Sequence, residues 1–153
     1  MLAERQGHCI DKAIVLIAAL RHLQIPSRLG LAKVINHIGS SKLEHVLKTN
    51  VLVPHGFVEV YLNENWVKCT PAFNSSLCQK LGLEPLEFDG ELDSIFQPYD
   101  SAQNKSMEYL EYLGSFATLP EKQIQVWMQN EYPHMFNSRG QWLSEKLQDI
   151  KKG

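Results

Sequence analysis

Every residue from Ala13 to Leu20 is apolar, and neither glycine nor proline interrupts the stretch from Cys9 to Leu23. Alanine and leucine lose little on entering a helix and, with isoleucine, fill nearly every face, so a helix is expected here; apolar all round, it is expected to be buried. Asp11 would lie in its first turn, where the helix dipole favours an acid, and Arg21 and His22 near the opposite end. Ile25, standing ahead of Pro26, is biased out of helical angles and closes the element. The following run, Ser27 to Asn36, reads as a strand.

Gly39 to Thr49 is polar and without period, and is read as a loop. From Val51 to Leu62 β-branched and aromatic residues dominate, Asn63-Glu64-Asn65 forms a polar turn, and the chain returns from Trp66. That pattern predicts a hairpin. Period-two alternation puts His55, Phe57, Glu59 and Tyr61 on one face and Gly56, Val58, Val60 and Leu62 on the other. Beyond Pro71 the pattern loosens. A short helix from Ser75 to Leu81 ends at Gly82, extended pieces are expected near Ser94–Gln97 and Met107–Leu113, and Thr118 with Pro120 and Glu121 starts a helix that runs to Tyr132. A last helix is expected from Gln141 to Ile150.

No shift in composition divides the 153 residues, so one domain spanning 1–153 is expected. The net charge of −2 gives no electrostatic footprint for nucleic acid or an anionic membrane surface. The longest apolar run is far shorter than the roughly 20 residues that cross a bilayer. Three cysteines, Cys9, Cys69 and Cys78, make an odd and irregularly spaced set, which suits a reducing compartment and hence the cytoplasm.

A thiol nucleophile needs partial ionisation, a base, and something to orient that base. Cys9 alone is expected at a helix N-terminus, where the dipole and free N–H groups favour a thiolate. Gly7, two residues earlier, would let a substrate backbone approach. Of six histidines, only His55 stands on a well-specified strand. His8 diverges from its neighbour around a helix, and His22 lies at the far end of it.

With those residues in place, "RQGHCIDKAIVLIAALRHLQIPSRLG" followed by "HGFVEVYLNENWVKCTPAFN" resembles the core of transglutaminase-like proteins, a branch of the papain-like cysteine hydrolase and acyltransferase fold. The resemblance runs from Arg5 to Asn74. It implies Cys9 as nucleophile, His55 as general base, Glu59 as the strand glutamate, Arg28 as the arginine after the proline, and Trp66 as the tryptophan of the returning strand. Where the family pattern has Asp-Pro, this chain has Thr70-Pro71; a hydroxyl can set the imidazole tautomer but brings no charge to support an imidazolium. Asn74 is an alternative orienter, provided the hairpin register brings it opposite His55. Only eight residues precede Cys9, so an upstream region, with the side chain that completes the oxyanion hole, is expected to be missing; the Cys9 N–H would supply one donor.

Plainer readings stand beside these. Cysteine is among the most buried residue types, and a strand histidine or threonine commonly serves packing alone. Glu59 and Arg28 read as an ion pair and Trp66 as a core or cleft-wall aromatic. Asp89 and Asp93 lack a full calcium loop, and Cys69 with Cys78 lacks a paired C-x-x-C, so neither a metal nor a cofactor is expected.

The expected fold is α+β and papain/transglutaminase-core-like, with an N-terminal buried helix on a small antiparallel sheet and C-terminal helices over the rest. The expected function is attack by Cys9 on an amide or peptide carbonyl, with hydrolysis the preferred outcome for what looks like a bacterial stand-alone domain. The expected partner is a peptide or protein amide substrate. The rival is a catalytically silent binding module that keeps the cleft.

Overall fold

The computed structural model of the chain describes residues 7–38, 41–96 and 104–143. The first helix, α1 (Cys9–His22), begins where the residues had placed it. The backbone N–H of His8 donates to Asp11 Oδ2 at 3.0 Å, so one of the free donors at the helix start is satisfied by the acid one turn on. Leu23 ends the helix, Gln24 takes a left-handed φ of 60°, and the Ile25 N–H donates to the Leu20 carbonyl at 2.9 Å. The expectation of burial all round is corrected: Ala13 and Ile17 are buried, but Ile14, Ala18 and Ala19 face outward. The sheet covers only one side of α1.

That sheet is antiparallel and four-stranded, in the order β3-β2-β1-β4, with β1 (Ser27–Asn36), β2 (Val51–Leu62), β3 (Asn65–Cys69) and β4 (Met107–Phe116). The architecture is α+β, as the sequence implied. Asn63 and Glu64 carry φ of 48° and 65°, the left-handed pair that a two-residue hairpin turn requires, and this fixes the β2–β3 register at Leu62↔Asn65. β4 runs three residues beyond the expected Leu113, because it pairs with β1 as far as Leu29↔Phe116.

Both faces of the sheet are covered. On one, Leu29, Leu31, Val58 and Val60 pack against Ala13 and Ile17 of α1. On the other, Ala32, Val34 and Phe57 pack against Phe96 and Met107, with Leu83 and Leu86 of the irregular segment alongside. Burying both faces explains why β2 reads as a nearly continuous apolar run.

Gly39 to Thr49 is not all loop: a seven-residue helix, α2 (Ser41–Leu47), closes at Lys48, whose φ is 57°. Its Val46 and Leu47 join a third cluster with Val53, Tyr132 and Met135. The element is too short to show a helical period, and tertiary packing rather than propensity sustains it. α3 (Ser75–Leu81) and its left-handed cap at Gly82 match expectation. So does α4 (Glu121–Glu131), although Pro120 rather than Thr118 takes the capping position. Gln141 to Leu143 are not helical: Trp142 forms a bridge with Phe136 and stacks edge-on against its ring. The remainder of the expected last helix lies outside the described residues.

Among the described residues, no helix is long and apolar enough to cross a membrane.

Candidate functional site: a helix-borne thiol against a strand imidazole

Gly56 sets the geometry. A Cβ built there would meet Ile10 Cγ1 at 2.7 Å and Ile10 Cα at 3.0 Å, so only glycine lets the first turn of α1 lie directly on β2. In that contact the Gly56 N–H points at Cys9 Sγ, 3.4 Å away. His55, the next residue, is 2% exposed and hydrogen-bonds the same sulfur through its side chain. Its Nε2 has no partner, which by elimination leaves Nδ1 as the nitrogen facing the thiol.

Cys9 itself is half-buried. Burial pushes its thiol up, but the charge and hydrogen bond of His55, with the backbone N–H groups of Gly56 and Ile10, outweigh it and hold the pKa below the ordinary thiol value. The other two cysteines differ in kind. Cys69 lies in the core and burial pushes its pKa up to about 11, while Cys78 is fully enclosed. Cys9 is the thiol whose neighbours favour its ionised form.

Thr70 follows the last residue of β3 and is 6% exposed. Its N–H donates to the Ser94 carbonyl at 3.0 Å, fixing the backbone, yet its hydroxyl lacks a hydrogen bond of good geometry. The phenol of Tyr109 on β4 is close enough for the hydroxyl to pull the phenol's pKa down, against a larger upward push from burial. The Tyr109 ring sits edge-on to His55, with centroids 6.2 Å apart. Asn74, the alternative orienter, is not available to His55. It caps α3, its Oδ1 accepting from Leu77 N at 2.9 Å and from Ser76 Oγ at 3.1 Å.

Glu59 and Arg28 form the expected ion pair at 2.5 Å, directly across the β1–β2 register. Glu59 Oε2 also accepts from Ser115 Oγ at 2.5 Å and Oε1 from Tyr112 Oη at 2.9 Å. Burial raises this carboxyl, but the Ser115, Arg28 and Tyr112 donors together hold it below the usual carboxylate range. The Arg28 guanidinium stacks on Trp66, 3.9 Å from the ring centroid. Trp66, 40% exposed, is thereby a wall and not a core residue. It lines a groove of about 630 Å³ on the His55 face of the sheet, which reaches Tyr109 but does not include Cys9.

Asp89 and Asp93 serve the backbone. Asp89 Oδ1 accepts from the N–H groups of Glu91 and Leu92, and Asp93 Oδ1 from that of Lys68 at 2.8 Å.

Sequence reasoning brought Cys9, His55 and Thr70 forward and missed Gly56 and Tyr109. A glycine inside a buried strand is a signal of close backbone approach. Nothing in "MEYLEYLGSF" distinguishes Tyr109 from Tyr112.

Residues 1–71 match the family model of the transglutaminase-like superfamily. Over that span, which holds Cys9, His55 and Thr70 and is a little under half of the chain, the protein is similar to a superfamily of the cysteine hydrolase and acyltransferase type. No curated protein and no solved structure matched the chain in the corresponding comparisons.

Proposed function

We propose that the protein is a transglutaminase-like cysteine hydrolase or acyltransferase that acts on an amide or peptide bond through a Cys9 thioester, in a papain-like arrangement of helix-borne thiol and strand-borne imidazole. The observation that carries this reading is the Cys9 thiol, hydrogen-bonded to His55 and to the Gly56 N–H, with its pKa held below the ordinary value. A free thiol is only a few per cent ionised at neutral pH, so a lowered value raises the attacking fraction.

In the reaction, Cys9 Sγ adds to the carbonyl carbon and the carbonyl oxygen becomes an oxyanion near the start of α1, where the Cys9 N–H is one donor. His55 gives its proton to the amide nitrogen, the C–N bond breaks, and the amine leaves. Water, or an amine, then attacks the thioester while His55 takes its proton, releasing the acid or the new amide and restoring the thiolate. Thr70 is the third member, orienting the imidazole without contributing charge. The partner is a peptide or protein amide, and three free cysteines support residence in the reducing cytoplasm.

Iodoacetamide at about pH 6, followed by peptide mapping, tests this. Cys9 should be alkylated ahead of Cys69 and Cys78, and His55→Ala should remove its advantage. Equal, slow alkylation of all three would overturn the assignment. One observation favours a second reading, a binding module that keeps the cleft: Thr70 stands in the acid's place and His55 Nε2 is unpartnered. An activated ester separates the two, since an enzyme turns it over whereas a silent module is acylated once and stops.

A further inference from the structure

Beside the His55 ring, whose buried Nε2 has no hydrogen-bond partner, lies the Tyr109 ring, and the buried Tyr109 hydroxyl is close to that of Thr70, neither making a hydrogen bond of good geometry. Folded proteins rarely leave such groups unmatched. The placement follows from the sheet. His55 pairs with Ala32 on one side of β1 and Tyr109 with Val34 on the other, so the two rings meet across a strand whose side chains there are small. Thr70 extends β3 one residue beyond Cys69, on the face opposite the core that Cys69 joins. Tyr109 is also edge-on to Phe57, at 6.5 Å, which holds the ring in place independently of its hydroxyl.

Resting on the reading of His55 as the base, we propose that Tyr109 is a positioning residue: its hydroxyl and that of Thr70 hold one water molecule against Nε2 and thereby keep Nδ1 turned to Cys9 as the proton acceptor. A buried water typically makes about three hydrogen bonds, which is the number of unmatched atoms here. Either hydroxyl can donate to or accept from the water, which in turn accepts the Nε2 proton, so the cluster sets the tautomer. Because burial raises the Tyr109 phenol, neither hydroxyl carries charge at physiological pH. It therefore orients the imidazole where a carboxylate would orient it and add charge.

The test measures the rate of Cys9 alkylation against pH in the full chain. Tyr109→Phe keeps the ring but leaves the water too few partners to stay, so Nε2 loses its one acceptor and alkylation at about pH 6 should slow roughly fivefold, the weight of one net hydrogen bond. Thr70→Val should do the same, Thr70→Ser should behave as wild type, and the Tyr109→Phe/Thr70→Val double variant should be no slower than either single, because the water is lost once. Thr70→Asp should reach Nε2 with its own carboxylate and make the rate indifferent to Tyr109→Phe. If Tyr109→Phe fails to fold, the contrast between Thr70→Val and Thr70→Ser carries the test. A Tyr109→Phe profile identical to wild type, with His55→Ala still slow, overturns the positioning role and leaves the base assignment standing; an unchanged His55→Ala profile overturns both.

Discussion

Gly56→Ala is the most incisive perturbation, because the structure says what the added methyl meets. Its Cβ would sit 2.7 Å from Ile10 Cγ1, 3.0 Å from Ile10 Cα and 3.2 Å from Ile10 N. The side-chain contact can be relieved by a rotamer change, but the backbone contacts cannot, so the first turn of α1 must move off β2. Ordinary van der Waals contact begins near 3.4 Å, and restoring it lengthens and weakens the 3.4 Å bond from the Gly56 N–H to Cys9 Sγ. Overpacking of this kind costs about 1–3 kcal/mol. A weaker donor to the thiolate raises the Cys9 pKa, because the Gly56 N–H is one of the groups that hold it down. A thermal melt should fall by about 3–10 °C for a chain of this size. The alkylation midpoint should move up in pH. Gly82→Ala is the control. Its Cβ meets nothing within 4 Å, but its φ of 68° strains any side chain, so it should cost about 1 kcal/mol of stability without moving the Cys9 profile. If Gly56→Ala melted as wild type and alkylated at the same midpoint, the close approach of helix and strand would be refuted as the device that prepares the thiol.

Other substitutions probe the scaffold around the site. Glu59→Gln leaves Arg28 without its counter-charge; because Arg28 is about a third exposed, the cost at neutral pH should be near 2 kcal/mol by urea unfolding and not the 3–5 kcal/mol of a fully enclosed pair. The Glu59 pKa is depressed on folding, so its stabilisation is present above the ordinary carboxylate range and is lost as pH falls, and Gln should converge on wild type in acid. Cys69 behaves in the opposite sense. Its folded pKa is raised to about 11, so stability holds below the ordinary thiol range and declines as pH climbs from about 9 towards 11, by about 2–3 kcal/mol, and Cys69→Val should flatten that alkaline loss. Tyr132→Phe removes the bond that the Val53 N–H donates to the phenol and the one the phenol donates to the Val51 carbonyl, both 2.8 Å, and should cost about 1–3 kcal/mol in the same unfolding assay.

What could be read from the residues alone was what local chemistry decides. α1 follows from an uninterrupted apolar run without glycine or proline, β2 and β3 from β-branched alternation around a polar turn, and the end of α3 from a Gly82 stop. The pairing of Cys9 with His55 was accessible for a related reason: each sits at a position whose direction its own element fixes. The misses have non-local causes. α2 owes its existence to Val46 and Leu47 packing beside Tyr132, a partner more than 80 positions along the chain. The outward face of α1 could not be told from its inward one, because Ile14, Ala18 and Ala19 are as apolar as Ala13 and Ile17. Tyr109 reaches His55 only through the β1–β4 register, Val34↔Tyr109, whose bulges no periodicity announces. Asn74 failed as an orienter because asparagine ahead of Ser75 had a stronger claim from the free N–H groups of α3.

The account stands or falls on the ionisation of Cys9 beside His55. Ultraviolet difference titration of the thiolate, comparing wild type with Cys9→Ser and repeated in the His55→Ala background, reads that ionisation without any substrate. The Cys9 signal should titrate below the ordinary thiol value of about 8.5 and move upward when the imidazole is removed. A Cys9 signal at or above that value in the wild-type protein, indifferent to His55→Ala, would contradict the central claim.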